Sequence, residues 1–265
     1  MGALARALTV AGSDSGGGAG IQADLKTFHR FGVYGMSAIT AITAQNTLGV
    51  AAVYPLPAEA TAAQMEEVLR DIGTDALKTG MLFSAEIIET VAEKIRAHRV
   101  TQVVVDPVMV AKGGAKLLRD DAIEALKRHL LPLAQVVTPN LPEAECLTGM
   151  TIAGLPEMKE AAKRIHAMGA RHVMVKGGHL DSDDLVDLFY DGQQYHLFPH
   201  RRIHTQNTHG TGCTFSAALT AELAKGTALL QAVERAQRFI VAAIQTAPQL
   251  GSGHGPTNHW AEISS

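Results

Sequence analysis

Short apolar runs alternate along the chain with longer stretches whose apolar residues recur at helical spacing. Residues 7–11 read as a buried strand, and 20–31 as a helix with Ile21, Leu25 and Phe28 on one face. A run rich in β-branched residues over 33–43 predicts a second strand, followed by a helix over 58–72 and a short strand over 76–79. The next helix spans 84–98, starting at Ser84 with Glu86 in its first turn. Strand 103–105, helix 120–130, strand 135–138, helix 157–168 closed by Gly169, and strand 172–176 come next. Segments 184–190 and 195–198, joined around Asp191-Gly192, predict a hairpin, and helices over 212–225 and 229–247 complete the pattern. No repeat, linker or low-complexity tract interrupts it, so one domain is expected over 1–265. Continuous apolar strands alternating with helices predict a mostly parallel, doubly wound three-layer α/β/α fold. The hairpin is expected as an antiparallel addition at one edge.

Composition narrows the class. The 265 residues are 46% hydrophobic and 18% charged, enough to bury a substantial core. A net charge of −3 argues against a nucleic-acid binder or a membrane-surface binder. The two cysteines, Cys146 and Cys213, form no CxxC pair, which excludes a disulfide scaffold and a cysteine-rich zinc site and fits a reducing compartment. The N-terminal apolar run is broken by Gly12, Ser13 and Asp14, unlike a signal peptide, and no apolar stretch is long enough to span a bilayer. The expectation is a soluble, cytoplasmic globular protein.

The conspicuous polar and glycine residues fall just after strands: 12–20, Gly80, Asp106, Asn140 and Lys176. In open α/β sheets ligands bind beyond the carboxyl ends of the strands, so one shared site explains five such exits. The glycine-rich 12–20 segment is suited to cradling phosphate, to closing over a polar substrate, or to a simple flexible turn. It is neither a Walker A loop, since no Gly-Lys dipeptide exists, nor a GxGxxG turn, since Ile21 takes the third glycine position. Asp106 fits a metal or substrate-hydroxyl contact as well as a strand-ending turn before Pro107. Asn140 and Glu143 have the spacing of a helix capping box with Pro142 in the first turn, and also suit water-mediated Mg²⁺ binding. Lys176 is placed either to meet a transferring phosphoryl group or simply to leave a strand. His196, His200, His204 and His209 do not make a metal site. Residues four apart on a strand lie roughly 13 Å apart, whereas zinc needs nitrogens at about 2 Å. Finally, the turn 207–212 runs straight into a helix and places Cys213 in its first residues, where orphan N–H groups collect anions and favour a thiolate.

Taken together, seven segments resemble the ribokinase-like superfamily, and within it the hydroxymethylpyrimidine and hydroxymethylpyrimidine-phosphate kinases. They are 10–24, Ala44-Gln-Asn46, Lys78-Thr-Gly-Met81, Val105-Asp-Pro-Val108, 138–143, Val175-Lys-Gly-Gly-His179 and 208–217. The resemblance covers nearly the whole chain. It implies an ATP- and Mg²⁺-dependent kinase of thiamine biosynthesis, acting on a small pyrimidine and expected to be a homodimer. It implies that Gly210 and Gly212 help form an anion hole for the γ-phosphoryl group and that Cys213 is the catalytic base. Lys176, Thr208, Thr211 and Asn140 are expected to face the nucleotide, and Glu143 and Asp106 to place Mg²⁺. Gln45 is expected to bond the pyrimidine edge, with Gly12, Asp24, Met81 and Val108 around it and the loop 111–116 as a flap. The rivals are a pyridoxal kinase of the same superfamily, a cysteine hydrolase using Cys213 with His209, and a non-catalytic ligand sensor. For Cys213 the expectation is a lowered pKa.

Overall fold

A computed structural model describes residues 4–110, 114, 117–179 and 182–263. In chain order its elements are β1 (Arg6–Asp14), α1 (Gly20–Arg30), β2 (Tyr34–Asn46), β3 (Gly49–Pro55), α2 (Ala58–Asp71), β4 (Ala76–Thr79), α3 (Ala85–Ala97), β5 (Val103–Val105), α4 (Asp120–Ala125), β6 (Val136–Val137), α5 (Leu141–Thr148), α6 (Leu155–Ala167), β7 (Val173–Val175), β8 (Asp184–Tyr190), β9 (Tyr195–Arg201), α7 (Thr211–Ala224) and α8 (Leu229–Gln245). Among the described residues the strands form one nine-stranded sheet in the order β3-β2-β1-β4-β5-β6-β7-β8-β9.

The central strands are parallel, from β2 through β1, β4, β5 and β6 to β7. Period-two alternation along them splits the core into two layers. Leu8, Val10, Leu77, Val103, Val105, Val137, Val173 and Val175 face one layer, packed with α2, α3, α5 and α6. Ala7, Ala76, Val104, Val136 and Met174 face the other, against α1, α7 and α8. This is the expected three-layer arrangement. α7 is buried from Thr214 to Leu223 on every side, as a helix wedged between sheet and neighbouring helices must be.

The structure departs from the sequence pattern in four places. Antiparallel strands lie at both edges, because β3 pairs antiparallel with β2 in addition to the β8–β9 hairpin. β3 has no fully buried residue, so it carries no alternation to reveal it. β1 extends beyond residue 11 to Asp14, with an irregularity between Ala11 and Ser13. The 120–130 helix is α-helical only to Ala125, then widens into a π turn over Leu126–Leu130 and tightens into a 3₁₀ turn over Leu131–Leu133, where Pro132 removes an N–H. α5, seen in the sequence only as a capping signal, is a real helix.

Candidate active site

Parallel strands bring their carboxyl ends to one rim, and each delivers a polar or glycine residue there: Asp14 from β1, Gly80 after β4, Asp106 after β5, Thr138 and Asn140 after β6, Lys176 after β7. The N-terminus of α7 meets them. A Cβ added at Gly212 would lie 3.3 Å from Lys176 Nζ and 3.6 Å from Asp106 Oδ2, so the bare backbone of this turn sits directly on that pair. Gly210, at φ 77°, leads into the helix, and a side chain there would strike the carbonyl of Gly18.

Asp106 is 2% exposed. Its Oδ1 lies 3.4 Å from Lys176 Nζ and 3.4 Å from Thr138 Oγ1, and its Oδ2 accepts from Ser216 Oγ at 3.1 Å. Lys176 is aimed by its own backbone, whose N–H donates to the Pro139 carbonyl at 2.9 Å. Both halves of the capping box form: Asn140 Oδ1 accepts from the Glu143 N–H at 2.9 Å, and Glu143 Oε2 accepts from the Asn140 N–H at 2.8 Å. Capping does not exhaust Glu143. Burial pushes its carboxyl up to about 7, with Lys176 opposing and Asp106 adding to the rise. Two buried carboxylates therefore share one lysine, an excess of negative charge that a divalent cation relieves. An oxygen donor set with two carboxylates suits Mg²⁺, which fills its other positions with water and phosphate. Among the described residues no three His, Cys, Asp or Glu side chains gather into a metal cage.

Cys213 occupies the third position of α7 and retains some exposure. The expected lowered pKa is not what this environment gives. Burial pushes the thiol up to about 12 against the opposing Lys78 ammonium, with the Asp24 and Asp106 carboxylates adding to the rise and the Gly20 N–H opposing it. Beneath it lies a residue pair the sequence reading did not assemble. Lys78 Nζ is 2.9 Å from both oxygens of Asp24, and both side chains are 0% exposed. Burial works against the Lys78 charge, yet the adjoining carboxylate holds its pKa above the ordinary lysine range. Thr9 Oγ1 adds a bond to Asp24 Oδ2 at 2.6 Å. Asp24 thus anchors Lys78 under the site and has no surface with which to line a pocket. One sequence signal pointed here: Asp24 falls on the apolar 21-25-28 face of α1, and Lys78 inside a four-residue buried strand.

The glycine-rich segment is not a phosphate cradle. The N–H groups of Gly16, Gly18 and Ala19 turn inward and donate to the Asp14 carboxylate at 2.8, 3.0 and 2.8 Å. Burial opposes that charge, but these bonds and His209 hold Asp14 below the usual carboxylate range. The segment instead forms a wall. The carbonyl of Gly12 lies where a Cβ of Gly20 would be, and a Cβ added at Gly12 would crowd Met81 Sδ at 3.2 Å. Met81 and Val108, both expected around the substrate, share a small apolar cluster with Ala41 and Leu117. Gln45 lies off this cluster, 3.0 Å from His209 Nε2. The Thr211 hydroxyl donates to the Thr208 carbonyl at 2.7 Å, so its proton is held locally. Residues 111–113 and 115–116 of the expected flap lie outside the described residues.

His209 contacts Asp14 and Gln45, and no contact described for it reaches Cys213, so the cysteine-hydrolase reading has no geometric support. The other three histidines pair separately, His196 with Asp191, His200 with Asp187 and His204 with Asp183. A cavity lined by Glu67, Val68, Arg70, Asp71 and Ile72 lies at the end of α2 that leads into the start of β4, on the opposite rim.

A model of the phosphomethylpyrimidine kinase family matches residues 14–258. The chain belongs to this family. The hydroxymethylpyrimidine/phosphomethylpyrimidine kinase of Bacillus subtilis strain 168 is 55% identical over 257 residues, covering 97% of this chain and 95% of that protein. The thiamine biosynthesis bifunctional protein ThiED of Geobacter sulfurreducens is 56% identical over 95% of this chain, which spans 51% of that longer protein. Among solved structures, an ADP complex of Bacillus subtilis pyridoxal kinase superposes with a TM-score of 0.91 at 46% identity, over 98% of both chains. The family membership accounts for a kinase rather than a hydrolase or a sensor.

Proposed function

We propose that this protein, one kinase domain, uses ATP to phosphorylate the hydroxymethyl group of 4-amino-5-hydroxymethyl-2-methylpyrimidine, and then converts the monophosphate to the diphosphate in thiamine biosynthesis. The observation that carries the proposal is the full-length identity of 55% to a relative named for both reactions. The site supports it. Phosphoryl transfer asks mainly for positioning and charge neutralisation. In this reading the backbone N–H groups of the Gly210–Gly212 turn face the transferring oxygens, and Lys176 neutralises their charge. Thr208, Thr211 and Asn140 stand along the nucleotide. Asp106 and Glu143 would hold Mg²⁺, which supplies further charge neutralisation on the phosphates. Gln45, Gly12, Met81 and Val108 bind the pyrimidine, and Asp24 acts only through Lys78.

Cys213 accepts the hydroxyl proton in the first reaction. Burial keeps this thiol protonated, and the Asp24 and Asp106 anions add to it. Neutralising Asp106 in the loaded enzyme lowers the thiol pKa, with Lys78 left to favour the thiolate.

The pyridoxal kinase likeness supports a second activity on pyridoxal, which shares a heteroaromatic hydroxymethyl group. Purified protein with Mg·ATP is offered the pyrimidine alcohol, its monophosphate, pyridoxal and ribose, and ADP release is measured. The expected result is release with both pyrimidines and none above background with ribose. Silence with both pyrimidines defeats the proposal.

The proposal includes a cytoplasmic homodimer. Among the described residues no helix is long and apolar enough to cross a membrane. Ile42 and Tyr54, paired across β2 and β3, are 47% and 62% exposed beside an open sheet edge, apolar surface of the kind a second copy covers. Light scattering on the purified protein gives the mass.

A further inference from the structure

His209 lies where four segments meet. Its ring Nε2 is 2.9 Å from Asp14 Oδ2 and 3.0 Å from the Gln45 amide nitrogen, Nε2. Its backbone N–H donates to the Gly255 carbonyl, and its carbonyl accepts from the Thr257 N–H. A Cβ on Gly18 would strike the ring at 2.6 Å. The residue is 9% exposed, so its bonding must be satisfied within the protein.

One ring nitrogen carries at most one proton. Asp14 is a carboxylate already held by three backbone N–H groups, and it can only accept. The Nε2 proton therefore belongs to the Asp14 contact. Two donors, Nε2–H and the amide NH₂, would then face each other at 3.0 Å. A half-turn of the Gln45 amide exchanges its oxygen and nitrogen without changing its shape and removes the conflict. The other end of the amide demands the same turn. Thr43 Oγ1 has one proton, given at 2.9 Å to the Ser13 carbonyl, and yet lies 3.3 Å from the amide oxygen. After the half-turn that hydroxyl accepts from the amide nitrogen.

We infer that the Asp14–His209 pair and Thr43 together set the Gln45 amide so that its oxygen faces the His209 Nε2–H, which it shares with Asp14, and one amide N–H is free for the ligand. Gln45 is then a donor, and the substrate atom that meets it is an acceptor, such as a ring nitrogen or an anionic ring oxygen. His209 is a positioning residue that determines which edge of a heteroaromatic ring the pocket reads. The inference rests on the kinase reading above.

The test uses Gln45→Glu, nearly identical in shape but without an N–H. Steady-state kinetics on the pyrimidine alcohol at saturating Mg·ATP should show KM raised about tenfold or more, with kcat changed far less. His209→Leu, which frees the amide to turn, should raise KM several-fold at near-constant kcat. His209→Gln, whose amide N–H reaches the same place, should restore most of it. Thermal unfolding confirms that each variant is folded. A Gln45→Glu variant with wild-type KM, or a His209→Gln variant no better than His209→Leu, overturns the inference. Wild-type turnover of the alcohol is the control. If that control is silent, the kinase reading fails instead, and binding of the alcohol followed by calorimetry across the same variants still decides the amide assignment.

Discussion

Replacing Lys78 by methionine probes the buried pair beneath the site. The lysine ammonium is 2.9 Å from both Asp24 oxygens, and neither side chain reaches solvent. Methionine fills a similar volume but leaves the carboxylate buried and uncompensated, apart from Thr9. Breaking such a pair from one side costs about 3–5 kcal/mol, because the remaining charge has lost its partner. For a chain of this size each kcal/mol moves the melting temperature by about 2–4 °C, so a fall of roughly 6–20 °C is expected. Removing both charges, in Lys78→Met with Asp24→Leu, should recover more than half of that loss, since a well-packed apolar pair often equals a buried ion pair. Thermal and urea unfolding of the wild type, both single variants and the double variant give the coupling energy directly. A Lys78→Met variant within about 1 kcal/mol of wild type, or a double variant no more stable than the single, would refute the reasoning. Asp24→Asn adds a functional reading: a raised KM without loss of stability would return Asp24 to the substrate pocket.

Cys213→Ala should lose the alcohol reaction by at least about tenfold more than the monophosphate reaction, because a phosphate monoester is already largely ionised near neutral pH and needs no base. Equal loss on both substrates would leave Cys213 as a pocket or anion-hole residue. With its thiol pushed up to about 12 by burial, Cys213 should be alkylated by iodoacetamide far more slowly than exposed Cys146. Site-resolved mass spectrometry showing equal rates would contradict the buried-thiol picture. Lys176→Ala should lower turnover far more than ATP affinity, and equal losses would make the lysine a nucleotide ligand only. Glu143 titrates at about 7 when folded against an ordinary 4.5, so the folded state binds its proton more tightly. That contribution to stability is complete below 4.5 and is lost as pH rises through about 7. Urea midpoints should therefore fall over that window in the wild type and flatten in Glu143→Gln.

What the sequence determined by itself was the order and type of the elements and the rim at which chemistry collects. Helical and strand periods differ, and polar residues at the ends of apolar runs stand out locally, so 76–79, 103–105 and 184–190 were legible to the residue. Local chemistry was equally readable at the Asn140–Glu143 box, which forms as its spacing requires. The edge strand β3 escaped because none of its residues is buried, and burial is what writes alternation into a strand. The rest depended on distances between segments far apart in the chain. Asp24 reads as a pocket residue until β4 places Lys78 against it. The 12–20 glycines suit a phosphate cradle as well as a substrate wall until Asp14 is found filling the concavity with its own carboxylate. Cys213 reads as an activated thiolate from its helix position alone, but its pKa belongs to the whole surroundings, and there burial and two carboxylates outweigh a lysine. Secondary structure follows from short-range pattern. The protonation and pairing of a buried polar group follow from every charge and dipole packed around it, and only the folded chain assembles those.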